Sequence, residues 1–264
     1  MPILNLYNVE ELKVYLLVLA RFSVVIFMLP IFATKVVPRV VKTSLAMVLS
    51  LLLYSVVEVD SSMFPETVIE TGLLILAELM IGVVLSLCIR FFLGAVQFSG
   101  QIIGFQMGFS MVNVVDPLTG ANVSILEEIS YWMTLLLFLI FNGHHIMILC
   151  IIESFEILPP GVFVFGQPIL EKLIEQGTLL FVLAIKIGAP VIAALLFTNV
   201  AFGLTGKFAP QMNIMIVAFP FQILVGLMLF GFSLEIIKIL TRDYISSIKT
   251  LFLSLFFWAS GGGG

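Results

Sequence analysis

Residues 91–123 read FFLGAVQFSGQIIGFQMGFSMVNVVDPLTGANV, and the rest of the chain takes its meaning from this stretch. Residues 91–115 carry no charge, so the run is apolar enough for a membrane. Gly100, Gly104 and Gly108 recur every four residues. In an α-helix they form one bare ridge, against which a second backbone can approach closely, as in small-xxx-small contacts between membrane helices. Gln97 and Gln101 lie one turn apart beside that ridge. Asn113, Asp116-Pro117 and Gly120 then supply turn chemistry. The expectation is a tightly packed helix feeding a loop that is itself apolar at Phe109, Met111, Val112, Val114 and Val115. Connecting loops that meet water are polar. An apolar one can seal a conduit by dewetting, and the thioether of Met111 can pack around varied side chains. Asp116, Pro117 and Gly120 would set the turn that aims the loop.

Composition fixes the class. Of 264 residues, 61% are hydrophobic and 11% charged, whereas soluble domains are roughly 25% charged. So few charges cannot cover the surface of a water-soluble protein of this size, which predicts an all-α integral membrane protein crossing the bilayer several times. The balance of 12 basic and 16 acidic residues gives a net charge of −4, which excludes a basic nucleic-acid surface. Cys88 and Cys150 both lie in apolar runs and read as small buried hydrophobes. No basic region followed by a cleavage site opens the chain, so the first apolar helix is expected to direct insertion itself. Residues 261–264, four glycines, resemble a linker remnant.

The first apolar run, 14–34, contains Arg21 and ends near Pro30. Lys35, Arg39 and Lys42 make a basic loop, cytoplasmic by the positive-inside rule. A short run, 43–57, leads to an acidic loop with Glu58, Asp60, Glu66 and Glu70. Residues 71–89 hold Glu78 and end at Arg90, and 91–115 follows at once, as one long helix or a tight helical hairpin. The next run, 129–152, is interrupted by Asn142-Gly143-His144-His145. A polar, Pro-rich connection, 154–176, marks the best internal boundary, separating an N-terminal segment, 1–153, from a helical hairpin, 177–250. Each arm of that hairpin carries a mid-run proline, Pro190 or Pro220, expected to kink it. An apolar tail, 251–260, is too short to span. Simple crossings place 153–176 on the cytoplasmic side, whereas a hairpin broken at 142–145 places it outside, and both topologies stand.

Arg21, Glu78, Arg90 and Lys186 are charges inside apolar runs. An unpaired charge at the bilayer centre costs at least ~2.5 kcal/mol, so each is expected to be buried against a partner or to line water. Glu78 and Arg90 are twelve residues apart, too far for a pair on one helix. Structural ion pairing is the plain account of these charges, with proton relay by Glu78 the sharper one. Other chemistry is absent from the pattern. Adjacent His144 and His145 point in different directions and complete no metal spacing with Cys150 or Glu153. Ser110 sits in no nucleophile elbow, and no Walker or dinucleotide motif occurs. No cofactor and no enzymatic activity is expected.

Three elements in this order resemble one family: GQIIGFQMGFSMVNVVDP (100–117), FNGHHIMI (141–148) with SFEILP (154–159), and GAPVIAALLFTNVAFGLTGKFAPQMNIM (188–215). The chain resembles the FliR family of flagellar export-gate proteins and their type III secretion injectisome (SctT-like) counterparts. The resemblance implies a protein-conducting channel subunit in the bacterial inner membrane, at the flagellar basal body. It implies assembly with FliP-type and FliQ-type subunits beside an FlhB-type switch protein, handling unfolded export substrates within membrane lipid. It implies a FliP-like region followed by a FliQ-like hairpin of kinked helices, and a pore plug at 109–122. On that resemblance the glycine ridge packs between subunits; packing physics alone equally permits contacts within the chain. An injectisome gate, or a secondary transporter framed by Pro190 and Pro220, remain alternatives.

Overall fold

The structure, a computed structural model, describes residues 9–33, 37–54, 56–57, 65, 67–109, 114–115, 122–208, 211 and 213–261. Helix α1, Val9–Met28, stops ahead of Pro30, which opens the one-turn α2, Pro30–Ala33, where its fixed φ and missing N–H cost nothing. Helix α3 spans Arg39–Tyr54 and packs on α1. Its buried face is Lys42, Ala46 and Ser50, while Val41, Val48 and Leu52 are exposed. A helix with its small and polar side inward and its apolar side outward suits a membrane or a partner, not water.

Helix α4 runs unbroken through Val68–Gln106, so the two apolar segments on either side of Arg90 are one helix and not a hairpin. A two-residue antiparallel ribbon follows, β1 (Val114–Val115) with β2 (Asn122–Val123), pairing Val114 with Val123 and Val115 with Asn122. Helix α5, Ile125–Ile140, breaks at Asn142, which holds a left-handed φ of 57° and starts α6, Gly143–Ile157. Asparagine is one of the few residues that adopts this conformation readily.

Two sequence-based boundaries move. The polar connection expected over 154–176 is mostly helical: α6 reaches Ile157, α7 begins at Gln167, and only 158–166 joins them. The tail expected at 251–260 is the end of α8, Ile214–Ala259. Glu235, Lys238, Arg242 and Asp243 interrupt the hydropathy but not the helix, since most of these residue types are good helix formers. Helix α7, Gln167–Phe208, continues through Pro190, and α8 through Pro220. Each proline withholds the N–H that would close on the carbonyl four residues before it.

Helices Val68–Gln106, Gln167–Phe208 and Ile216–Ala259 are apolar enough to cross a membrane, and α5 with α6 would make a fourth, broken span. The three are 39, 42 and 44 residues long, about twice the ~20 residues that a ~30 Å hydrocarbon core requires. Large apolar side chains stand exposed along them, Phe105, Phe197 and Phe232 among them. Lipid or other protein must cover these. The chain is an all-α integral membrane protein.

Two compact units are present. The first comprises Met1–Arg90, Asn142–Gln176 and Ile245–Gly264, the second Phe91–Phe141 and Gly177–Tyr244. Long helices α4, α7 and α8 each contribute residues to both, so the units do not coincide with the sequence segments 1–153 and 177–250. In the first unit, Gly82 lets α1 lie on α4: a Cβ there would fall 2.7 Å from Val24 Cβ and 3.1 Å from the Arg21 carbonyl. In the second, Ile103, Met107, Leu126, Val191, Leu195 and Phe230 form a buried cluster drawn from α4 and the residue just past its end, α5, α7 and α8.

Candidate functional site

Of the four charges expected inside the apolar runs, the structure brings two together. Arg21 Nε donates to Glu78 Oε2 at 2.5 Å, with both side chains fully buried in the first unit. The same guanidinium donates from Nη1 to Ser154 Oγ at 3.0 Å and from Nη2 to the Leu158 carbonyl at 3.1 Å. Its carbon lies 4.0 Å from the centroid of the Phe155 ring. The Ser154 hydroxyl in turn donates to the Ile151 carbonyl. One arginine thus ties α1 to α4 and satisfies a carbonyl just past the end of α6, where the helix has no donor of its own. The planar fork of arginine makes three directed bonds possible at once, and its flat face stacks on the ring. Glu78 Oε1 finds no hydrogen-bond partner among the described residues.

Arg90 and Lys186 differ from the expectation of burial: both are exposed. The antiparallel packing of α7 and α8 gives the reason for Lys186. Ser233 Oγ donates to the Ile187 carbonyl at 3.2 Å, and Gln222 Nε2 to Asn199 Oδ1. This register sets Lys186 level with Leu234 and Glu235, where the charges of α8 begin. Lys186 therefore bounds the uncharged zone and does not sit within it. Arg90 is exposed on α4, and an arginine's long apolar stem can carry its charged head away from apolar surface.

The glycine stretch lies in the second unit. A Cβ on Gly100 would meet the Leu126 carbonyl at 2.6 Å, Ser130 Oγ at 2.7 Å and Glu127 Cα at 2.9 Å. One on Gly104 would strike the Ser124 hydroxyl. These glycines seat the first turn of α5 on α4, so their close approach is made within the chain. Gly108 is not a third rung of the helix. The helix ends at Gln106, and Gly108 takes φ +83° just beyond it, its N–H bonded to the Phe105 carbonyl. A left-handed glycine is the usual way to stop a helix. The ring of Phe219 on α8 covers it, 2.7 Å from where a Cβ would be. Phe109, half-buried, packs on the core cluster.

Met111, Val112, Asp116 and Pro117 lie outside the described residues, and Val114 and Val115 are described only as the strand β1. The ribbon brings residues 115 and 122 together, leaving six residues between them. Spacing in the sequence did not single out Gly82, Ser154 or Phe219. Gly82 had a signal, four residues after Glu78, on the face where a second helix must approach to deliver a cation. Among the described residues, no three His, Cys, Asp or Glu side chains converge as a metal site.

Comparison with known proteins places this geometry in context. The sequence matches the family described as Bacterial export proteins, family 1, over residues 12–260. It is 32% identical over 244 residues to the flagellar biosynthetic protein FliR of Escherichia coli (strain K12), covering 91% of each chain. It is 30% identical over 249 residues to that of Bacillus subtilis (strain 168), covering 92% of this chain and 95% of the relative. The counterpart in Aquifex aeolicus (strain VF5) is 27% identical over 251 residues, covering 92% and 94%.

Proposed function

The chain belongs to the bacterial export proteins, family 1, and from that membership we propose that it is a non-enzymatic subunit of the flagellar type III export gate. In this role it helps to build the protein-conducting channel for flagellar building blocks and seals it with segment 109–122. FliP-type and FliQ-type subunits would surround it, an FlhB-type switch protein would bind alongside, and unfolded substrates would pass through. The assembly would sit in the bacterial inner membrane at the flagellar basal body. Segments 1–153 and 177–250 would play the FliP-like and FliQ-like roles.

The observation that carries this reading is the segment that leaves α4 at a left-handed glycine, stays uncharged and largely apolar as far as Val115, and returns to α5 through a backbone ribbon. A conduit wide enough for an unfolded chain conducts ions unless a dewetted apolar constriction closes it. The exposed apolar surface of the long helices supports a chain made to be covered by other subunits or lipid. The relatives named above are flagellar, which favours that setting over an injectisome. A transporter needs polar groups free to bind solute, and Asn199 and Gln222, on the proline-bearing helices, bind each other.

Deletion of residues 111–115 from the assembled gate is expected to raise its closed-state ion conductance several-fold in planar bilayers, with co-purification of the partner subunits retained. Unchanged conductance of the assembled mutant would overturn the sealing role.

A further inference from the structure

Over residues 187–206 of α7 and 214–234 of α8 the second unit carries no charge. A pair of side-chain amides stands within this zone. Asn199 is exposed and Gln222 half-buried, and Gln222 Nε2 donates to Asn199 Oδ1 across the seam between the helices. A side-chain amide can donate two hydrogen bonds and accept two. The bond between them uses one donor and one acceptor. Among the described residues neither amide makes another, so Asn199 Nδ2 and Gln222 Oε1 form a fixed edge with unused capacity. Exchanging nitrogen and oxygen in both amides leaves the same complement, one donor group and one acceptor.

Apolar side chains frame the pair. Leu196 and Val200 are exposed beside Asn199 on α7. Phe221, next to Gln222 and also exposed, meets the Phe202 ring edge to face at 5.4 Å. Lipid tails offer such a face no donor and no acceptor, which makes half-used amides costly there. Water satisfies the amides but not the large apolar side chains around them. A protein helix satisfies both, because it can bury the frame and bond to the amides.

Gly203 points to a helix independently. It lies one turn beyond Asn199, is exposed, and a Cβ on it would meet nothing within 4 Å. Neither a contact within the chain nor a positive φ calls for glycine there, and glycine inside a helix is disfavoured relative to alanine. An open glycine admits the backbone of a second helix, as Gly100 admits α5.

We propose that the α7–α8 face centred on Asn199 and Gln222 docks a membrane helix of a neighbouring subunit, which approaches at Gly203 and brings an amide or hydroxyl side chain to the free edge of the amide pair. The inference rests on the export-gate role proposed above. It adds which face meets a partner and what that partner must carry.

The test co-expresses the chain with FliP-type and FliQ-type subunits and measures how much of them co-purifies in detergent. Asn199→Leu with Gln222→Leu removes both amides together and strands neither. It is expected to lower the co-purified partner several-fold. Asn199→Gln with Gln222→Asn, which keeps an amide on each helix, should retain most of it. Gly203→Leu should lower it several-fold, while the lone Gly203→Leu chain unfolds no earlier than the parent on heating, which separates docking from folding. Gly231→Leu should match the parent, since that glycine is equally open but lies nine residues from Gln222, on the opposite side of α8. A photo-crosslinker in place of Val200 should join the chain to a partner subunit. Full co-purification by either the leucine pair or Gly203→Leu overturns the docking face and leaves the subunit role standing. Equal losses from Gly203→Leu and Gly231→Leu overturn it as well, since bulk anywhere on these helices would then suffice. So does a crosslinker at 200 that captures only lipid, or labelling of Gly203→Cys in the assembled complex by a charged, membrane-impermeant thiol reagent, which would put water on the face. A parent chain that brings down no partner overturns the subunit role itself.

Discussion

Replacing Arg21 with alanine will destabilise the first unit by about 3–5 kcal/mol, the usual cost of stranding one partner of a buried ion pair. The loss has identifiable components. Glu78 would keep a fully buried carboxylate with neither oxygen bonded, because Oε2 loses Arg21 and Oε1 has no other partner among the described residues. Ser154 would lose a donor, and so would the Leu158 carbonyl beyond α6. The face of Phe155 would lose the cation stacked on it. Arg21→Lys keeps the charge but not the fork. A single ammonium cannot reach a carboxylate, a hydroxyl and a carbonyl in three directions, so most of the loss should remain. Glu78→Ala should cost a similar amount, since it leaves the guanidinium uncompensated. The double replacement Arg21→Met with Glu78→Leu should recover most of it, because apolar side chains of similar volume need no partner. Thermal unfolding of the purified chain in detergent reads the order directly. A double variant as unstable as either single variant would show that the network does more than satisfy itself. A loss under ~1 kcal/mol for Arg21→Ala, the range of exposed pairs, would contradict the burial of this pair.

How far the sequence foretells this network illustrates where one-dimensional reading stops. That Arg21 and Glu78 need partners follows from their apolar surroundings alone. That they are partners of each other depends on α1 crossing α4 at Gly82, a tertiary fact separated in sequence by 57 residues. For α4 the sequence leaves one long helix or a tight hairpin open at Arg90; no charge or proline breaks 91–115, and the structure joins both segments in one helix that stops at Gln106. The ends of α6 and α7 and the last two turns of α8 were not legible. Charges such as Glu156, Glu171, Lys172 and Arg242 signal a loop to a hydropathy reading while remaining good helix residues. The glycine positions were legible as a place of close approach, but the partner was not. Spacing states that a backbone comes near and is silent on whose backbone it is.

That question of whose backbone has a direct experimental answer. Gly100→Ala is expected to destabilise the isolated chain, before any partner is added. The new Cβ would lie 2.6 Å from the Leu126 carbonyl and 2.9 Å from Glu127 Cα, both backbone atoms of α5 that no rotamer change can move. Helix α5 would have to lift away from α4, disturbing the cluster that Leu126 and Ile103 share. Overpacking of this kind costs about 1–3 kcal/mol. Alanine returns up to ~1 kcal/mol through its better helix propensity, so the net loss should be ~1–2 kcal/mol. Gly104→Ala should cost less, because its first obstacle is the Ser124 hydroxyl, which can rotate aside. Gly203→Ala, with nothing within 4 Å, should be neutral or slightly stabilising. Gly100→Leu, which adds three further carbons against the same backbone, should prevent α5 from seating at all. Thermal unfolding of the lone chain would therefore rank Gly203→Ala above Gly104→Ala above Gly100→Ala above Gly100→Leu. If the four variants instead unfold alike on their own and separate only in their ability to assemble, the ridge is reserved for a neighbouring subunit. The seating of α5 on α4 would then not be what Gly100 and Gly104 are for.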